Sequence, residues 1–289
     1  MPLTYPERKY ARGTVPSFAY KVRESMDRYF YARRVLGRPT PGFDINDKVI
    51  GRAFAQQHGF AVPAYLSGPS ALDQLVLPQD GPFVIKPLYS TSSFGVAFYR
   101  PDGQDRFVEC TAGTLALDRA GVIAQARAVA LQRRIVRDVW VCESLVPPAE
   151  PGLARPDDLK LYAFMGQLGL VLHKRVVAGK SRYRWYGPDL KPVSVGKYAS
   201  AIGDELAPPA WAASLVERAM RMSDAILRPF MRIDFLAAPD DGIFGEFTPH
   251  PGSFDQFDAR WDAYLGRAWE EAETRLVARL ETHTDGSKA

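Results

Sequence analysis

The sequence has 289 residues, 46% hydrophobic and 24% charged, a composition that suits a cored chain of one large domain or two or three closely joined lobes. A formal net charge of +4 is too modest to call for nucleic acid, and the absence of a long uncharged apolar run argues against a membrane span or a secretory leader. Cys110 and Cys142 sit far apart among apolar neighbours and read as reduced core thiols, the four histidines have no zinc-ligand spacing, and the cytoplasm is the expected compartment.

In chain order, Ser17 to Leu36 has helical spacing of Phe18, Val22, Met26, Tyr29 and Phe30, and a Gly/Pro-rich stretch ends it. Asn46 or Asp47 caps a second helix through Gln57, and a short strand follows near Val62 to Leu66. Phe83-Val-Ile-Lys86 and Val96-Ala-Phe-Tyr99 form a strand–loop–strand unit around small hydroxyl residues. A helix is expected over Ala116 to Arg133, then a buried strand at Val139 to Cys142, and two more at Lys160 to Phe164 and Gly169 to Val177. Pro208 to Leu227 reads as a helix with a proline start, Phe230 to Leu236 and Ile243 to Phe247 as a hairpin, and Arg260 to Glu281 as the final helix. Strands interleaved with helices give a mixed α/β (α+β) class. The early arginines, and the later basic group that includes Lys174, Arg175 and Arg184, read mainly as solvated surface.

Two stretches carry chemistry. In the hairpin, Asp234 follows Arg232 and Ile233, and after eleven intervening residues comes Glu246-Phe-Thr248. Each carboxylate lies on an otherwise apolar strand. Facing each other in a cleft they repel, unless a divalent cation such as Mg²⁺ lies between them; the alternative is a plain ion pair with Arg232. Lys86 ends an apolar strand and precedes Ser90-Thr-Ser-Ser-Phe-Gly95, a loop of hydroxyls and backbone donors suited to phosphate, or else a hairpin with an exposed lysine.

Together these stretches resemble the ATP-grasp superfamily. Lys86 to Val96 is similar to the phosphate-covering loop of D-alanine–D-alanine ligases, Cys142-Glu-Ser-Leu-Val146 to the hinge that pairs with adenine, and Asp234 with Glu246 to the metal-binding hairpin. Asn46-Asp-Lys48 matches the lysine that meets the nucleotide from the central lobe. Asp158-Leu-Lys160-Leu-Tyr-Ala-Phe164 and Gly245-Glu-Phe-Thr-Pro-His-Pro-Gly252 are similar to the teichuronopeptide-biosynthesis-like branch, which is linked to natural-product and cell-surface polymer assembly.

The resemblance implies an ATP-grasp fold with nucleotide held between two α+β lobes. Its parts would be an N-terminal helical segment at 1–42, a central portion at 43–80, a small lobe at 81–146, a large lobe at 147–282 and a disordered tail at 283–289. It implies ATP and Mg²⁺ as cofactors. Lys48 and Lys86 would bind the phosphates under Ser92, Ser93 and Gly95. The Ser144 carbonyl and Val146 amide would read adenine with Glu143 in support, and Glu150, or Asp157 or Asp158, would take the ribose. Lys160 would point into the cleft, and Arg175 or Arg232 would stabilise the transferred phosphoryl group. Asp234, Glu246 and Thr248 would hold metal; Thr248 stands where the family commonly has asparagine. Gly252 and Ser253 would receive a substrate carboxylate, and Arg184, in a basic-aromatic loop at 182–186, would meet the acceptor or else lie on the surface. The implied activity is an ADP-forming carboxylate–amine ligase acting on small molecules through an acyl phosphate, with homodimerisation allowed for. A kinase acting on a hydroxyl and a non-catalytic ATP-binding module are the alternatives.

Overall fold

A computed structural model describes residues 15–38, 44–90, 94–111 and 116–285, with side chains through Glu281. It consists of two six-stranded antiparallel sheets with helices against them. The elements are α1 (Phe18–Arg34), α2 (Lys48–Gln57), β1 (Tyr65–Ser70), β2 (Phe83–Pro87), β3 (Ala97–Pro101), β4 (Arg106–Glu109), β5 (Ala116–Asp118), α3 (Arg119–Gln132) and β6 (Trp140–Ser144). There follow β7 (Asp158–Phe164), β8 (Gln167–Val177), β9 (Lys180–Tyr186), β10 (Pro192–Val193), α4 (Ala212–Ala225), β11 (Met231–Ala237), β12 (Gly242–Thr248) and α5 (Ala259–Asp285). Among the described residues no helix is long and apolar enough to cross a membrane.

The first sheet runs β1-β6-β2-β3-β4-β5. Alternation sends Phe83 and Ile85 of β2 and Trp140 and Cys142 of β6 into a core with Val122, Ile123 and Ala126 of α3. The intervening Val84, Lys86 and Glu143 face the other way, into a crevice. Asp118 caps α3 by accepting from the Gly121 N–H at 2.8 Å. Residues 116–118 therefore end a strand, and the helix expected from Ala116 starts at Arg119. Because β1 pairs with β6, the small-lobe sheet begins at Tyr65, earlier than the expected boundary at 81.

The second sheet runs β10-β9-β8-β7-β11-β12. One face packs Leu159, Leu161, Ile233, Phe235 and Phe247 against Leu215 and Ala219 of α4 and Ala55 of α2. The opposite face carries an aromatic core of Tyr162, Phe164, Trp185 and Phe230 with Phe18 of α1 and Trp269 of α5. Phe18 is fully buried and sits edge-on to Phe230 at 5.0 Å, while Lys21 pairs with Glu273 at 2.7 Å. The N-terminal helix is thus part of the large lobe's core and no separate segment. Strand β9 replaces the expected basic-aromatic loop, and α5 continues through Asp285, three residues into the expected tail. Cys142 is buried and Cys110 half-buried, and both are free thiols.

The aromatic core also holds a lysine. Lys197 is 2% exposed; its ammonium donates to the Gly252 carbonyl at 2.9 Å and stands 5.0 Å from the Phe257 ring and 5.1 Å from that of Tyr198. Burial, reinforced by the Arg232 charge and only partly opposed by Asp255, pushes its pKa down to about 7. The folded state therefore binds fewer protons than the unfolded chain between about pH 7 and the ordinary lysine value of 10.5, so this group adds stability as pH rises through that window. Below pH 7 the full cost of burying the charge applies. Lys197→Met should accordingly raise the unfolding temperature most at pH 6, by removing on the order of a few kcal/mol of burial cost, and the gain should shrink by pH 9.5. Thermal unfolding at both pH values checks this; an equal shift at both would show that the lysine does not titrate in this window.

Candidate functional site

The two sheets meet at a crevice of about 200 Å³ that opens into a chamber of about 890 Å³; Lys48, Ser90, Lys160 and Glu246 border both. The small-lobe wall is built around Glu143, which is 3% exposed. One carboxylate oxygen meets Lys86 Nζ at 2.6 Å, and the other meets the Arg52 guanidinium at 3.2 Å. Arg52 also donates to the Pro63 carbonyl at 2.6 Å and lies over the Tyr65 ring at 4.0 Å. Glu143 is thus the anchor of two cations, whereas the sequence reading gave it a supporting role at adenine. Lys48 Nζ donates to the Ser90 carbonyl at 3.1 Å; burial lowers its pKa, opposed by Glu246 and reinforced by Lys86.

Ser144, Leu145 and Val146 follow along the crevice. Ser144 N–H is taken by the Ala64 carbonyl and Leu145 N–H by Pro82, while no hydrogen bond among the described residues uses the Val146 N–H. Ser92 and Ser93 lie outside the described residues. Gly95 has a φ of +79°, and a Cβ there would come within 3.0 Å of Pro87, so glycine is required for this turn. It packs on Pro87, and Val96 lines the crevice in its place.

The large-lobe floor centres on Asp234, which is 3% exposed. Arg232 grips it with two hydrogen bonds of 2.6 Å, and Lys160 Nζ reaches the same carboxylate at 2.6 Å. The strand register explains this meeting. Asp234 lies opposite Lys160 of β7 on one side and opposite Glu246 of β12 on the other. Gly245 is the extra residue of a bulge at this point; a Cβ there would approach the Asp234 carbonyl oxygen at 3.2 Å. Burial alone would raise the Asp234 pKa, but the Arg232 and Lys160 charges and hydrogen bonds outweigh it and hold the carboxyl below its ordinary value. Lys160 is held above its own ordinary value, because Asp158 and Asp234 together overcome burial. The ion pair with Arg232 therefore exists, as one of the two sequence readings had it.

Among the described residues no group of three His, Cys, Asp or Glu side chains could hold a metal ion. The available donors are the registered carboxylates Asp234 and Glu246 and the Thr248 hydroxyl, which accepts from Arg232 at 3.0 Å. Glu246 makes no hydrogen bond or ion pair among the described residues, and Asp234 has three hydrogen bonds where a carboxylate can accept four. Two oxygen ligands of this kind fit an ion that completes its shell with phosphate and water.

Several expected residues lie elsewhere. Arg175 makes hydrogen bonds of 2.8–3.0 Å to Asp157, which also receives His173 at 2.8 Å, and it pairs with Glu150. Neither Arg175 nor Glu150 borders the crevice or chamber. Lys174, next to Arg175, borders the chamber, and Asp158, next to Asp157, borders the crevice; the two face each other in the β7–β8 register. Arg184 pairs with Asp204 on the face away from the chamber, while the adjacent Tyr183 lines it. Gly252 lines the chamber; Ser253, at a φ of 52°, hydrogen-bonds to Tyr198 beside it. Sequence reasoning missed Arg52, Lys174 and Lys197, and the one local signal was the alternation of Ser181, Tyr183 and Trp185 with Arg182 and Arg184, which marks β9.

These placements separate two cations by experiment. Lys86→Ala should weaken nucleotide binding by about 2 kcal/mol or more, through loss of a charge-assisted contact. Arg175→Gln should leave that affinity unchanged and lower stability by about 2 kcal/mol, because Asp157 loses a charged partner. Calorimetry with Mg²⁺–ATP alongside urea unfolding distinguishes them, and a Lys86 variant of unchanged affinity would remove Lys86 from the site.

A model of the TupA-like ATPgrasp family matches residues 76–270. Among solved structures, a D-alanine–D-alanine ligase from Bacillus anthracis is similar at 15% identity, covering 85% of this chain and 74% of that one, with a TM-score of 0.51. The ATP-grasp ligase PsnB, solved with a precursor variant, Mg and ADP, shares 14% identity over 88% of this chain and 70% of its own, at a TM-score of 0.43. A D-alanine–D-alanine ligase from Helicobacter pylori shares 15% over 77% of this chain, at 0.43; this chain spans 58% of its length. Among curated proteins none matches the sequence. At 15% identity the likeness to the Bacillus anthracis enzyme concerns the fold alone, and it agrees with the two antiparallel sheets described above. ATP-grasp enzymes use ATP with Mg²⁺, and the crevice presents lysines and carboxylates of the kind that pair needs. With its family's pattern matched over more than half its length, this chain belongs to the TupA-like ATPgrasp family.

Proposed function

We propose that the chain is an ADP-forming carboxylate–amine ligase. The observation that carries this reading is the junction of crevice and chamber. There Lys48 and Glu246 stand beside the Asp234–Arg232–Lys160 cluster, so a nucleotide's terminal phosphate and a second substrate can meet among fixed charges. In this reading the Ser144 carbonyl and the Val146 N–H receive the adenine edge, and Asp158 takes the ribose in place of Glu150. Lys86 and Lys48 hold phosphate oxygens. Mg²⁺ supplies charge neutralisation on the phosphates when bound, and Glu246 and Asp234 are the residues that would hold it, with Thr248 adjacent. The substrate carboxylate attacks the γ-phosphorus, and the bond to ADP breaks, leaving an acyl phosphate. An amine then adds to the acyl carbon, phosphate departs with the bonding pair, and the amine gives up a proton. Lys160 and Arg232 stabilise the charge that builds on the transferred group, so positioning and electrostatics carry the catalysis. The cytoplasm, where ATP is supplied, is the proposed compartment.

Hydroxylamine trapping tests the reaction class. Incubation with Mg²⁺–ATP, candidate carboxylic acids and hydroxylamine should give a hydroxamate with equal amounts of ADP and free phosphate. Phosphate retained on an acceptor with no hydroxamate would indicate a kinase and overturn the ligase reading. Glu246→Gln tests the metal role, because this side chain makes no ion pair among the described residues that its loss could disrupt. It should keep the unfolding midpoint and lose turnover roughly a hundredfold or more. A Glu246→Gln enzyme with intact Mg²⁺-dependent turnover would remove that carboxylate from the metal site.

A further inference from the structure

Helix α2 carries two cations one turn apart, Lys48 and Arg52, toward the small lobe. Its other side is seated on the large lobe. Ala55 lies in the core with Phe247, and Gly51 is so close to the Ile45 carbonyl oxygen that a Cβ there would approach it to 2.6 Å. Lys48 lines the crevice and donates to the Ser90 carbonyl. Arg52 lines neither crevice nor chamber, so it acts on a ligand only through the group it holds. That group is Glu143, at 3.2 Å, whose side chain is 4% exposed. The guanidinium is fixed at two further points, by the Pro63 carbonyl at 2.6 Å and by the Tyr65 ring at 4.0 Å. Lys86, by contrast, has this same carboxylate as its one ion pair among the described residues, at 2.6 Å.

A buried carboxylate that gives up its last cation carries its full desolvation cost. With Arg52 in place Glu143 does not reach that state when Lys86 turns toward a phosphate, because a guanidinium stays charged and this one is held from three sides. We propose that Arg52 is a positioning residue for the nucleotide. It keeps Glu143 ionised and in place while Lys86 moves from that carboxylate to phosphate oxygens, and it does so from a helix seated on the opposite lobe. The proposal rests on the reading of Lys86 as a phosphate-binding residue. The other titratable groups facing Glu143 are Lys48 from α2, the Tyr65 phenol from β1 and the Cys142 thiol of its own strand. None of these hydrogen-bonds to it, so Lys86 and Arg52 carry its compensation among the described residues.

Calorimetry with Mg²⁺–ADP tests it through a cycle of Arg52→Gln, Glu143→Gln and the double variant. Arg52→Gln keeps a donor for the Pro63 carbonyl, and Lys86 still neutralises Glu143 in the free protein, so the variant should fold. It should bind Mg²⁺–ADP about tenfold or more weakly, since Lys86 then leaves a buried carboxylate alone. In the Glu143→Gln background there is no charge to compensate, and the same Arg52 substitution should change affinity by no more than about twofold. Arg52→Lys keeps the charge and should recover most of the loss. Titrations at pH 7 in two buffers of different ionisation enthalpy give a second readout. Arg52→Gln should take up a larger fraction of a proton per nucleotide than the wild-type protein, as Glu143 protonates when Lys86 leaves it. Equal losses of affinity in both backgrounds would place the effect of Arg52 in its contacts with Pro63 and Tyr65 and overturn the proposal. So would an Arg52→Gln protein of unchanged affinity, and either result leaves the nucleotide reading standing. Wild-type protein that binds no Mg²⁺–ADP defeats the nucleotide reading and the proposal with it, so the two failures are distinct.

Discussion

The large lobe is organised around one buried carboxylate. Asp234 is almost wholly removed from water, and an isolated charge in that position would be prohibitive. It is tolerated because Arg232, two residues away on the same face of the strand, grips it with two hydrogen bonds and Lys160 arrives from the paired strand. That arrangement requires β7 and β11 to hold one register, since a shift of one residue would send Lys160 to the opposite face and leave the carboxylate with half its compensation. The cluster therefore specifies strand alignment as well as supplying the charges of the site. Glu246 is then fixed opposite Asp234 by the hairpin, and the bulge at Gly245 returns Phe244 and Phe247 to the hydrophobic face.

A parallel arrangement, with the same signs, operates in the small lobe. There one buried carboxylate, Glu143, collects Lys86 from its own sheet and Arg52 from α2, a helix that packs on the large lobe. The ion group thus ties the two lobes together across the back of the crevice. Lys86 is held by its acid partner, so in the proposed reaction phosphate oxygens would compete with Glu143 for the ammonium, or share it. Such a contact lets Lys86 stand ready in a half-buried position without remaining an uncompensated charge.

What could be read from the sequence followed the strength of local patterning. The hairpin, its two carboxylates, the Lys86 strand and the Asp47 cap are each encoded within a few residues, and their positions agree with the structure. The parity of β8 was not encoded in this way. Leu170-Val-Leu-His-Lys-Arg-Val-Val is apolar or basic at every position, because both faces of this strand are covered, and such a run does not say whether Lys174 or Arg175 faces the chamber. The answer lies in long-range partners. His173 and Arg175 meet Asp157 on one face, and Lys174 meets Asp158 and Tyr183 on the other. Arg184 was lost to the same one-residue ambiguity. Lys197 was invisible for a different reason, since the rings that enclose it come from residues as distant in sequence as Phe257.

This division separates the two substrates. Adenine recognition in the proposed reaction uses a strand's backbone, and phosphate recognition uses lysines at strand ends, so both leave short motifs in the chain. The chamber is assembled from α1, the α3–β6 loop, β8, β9 and the segment after β12, which contribute one or two side chains each. No spacing rule links Tyr29, Arg137, Lys174, Tyr183 and Gly252, and only folding brings them to one wall-to-wall space. The chamber is therefore written in three-dimensional arrangement and leaves no short motif in the chain. Lys174 shows the same dependence on long-range contacts, since its ion pair with Asp158 and its place beside Tyr183 follow from the registers of β7, β8 and β9.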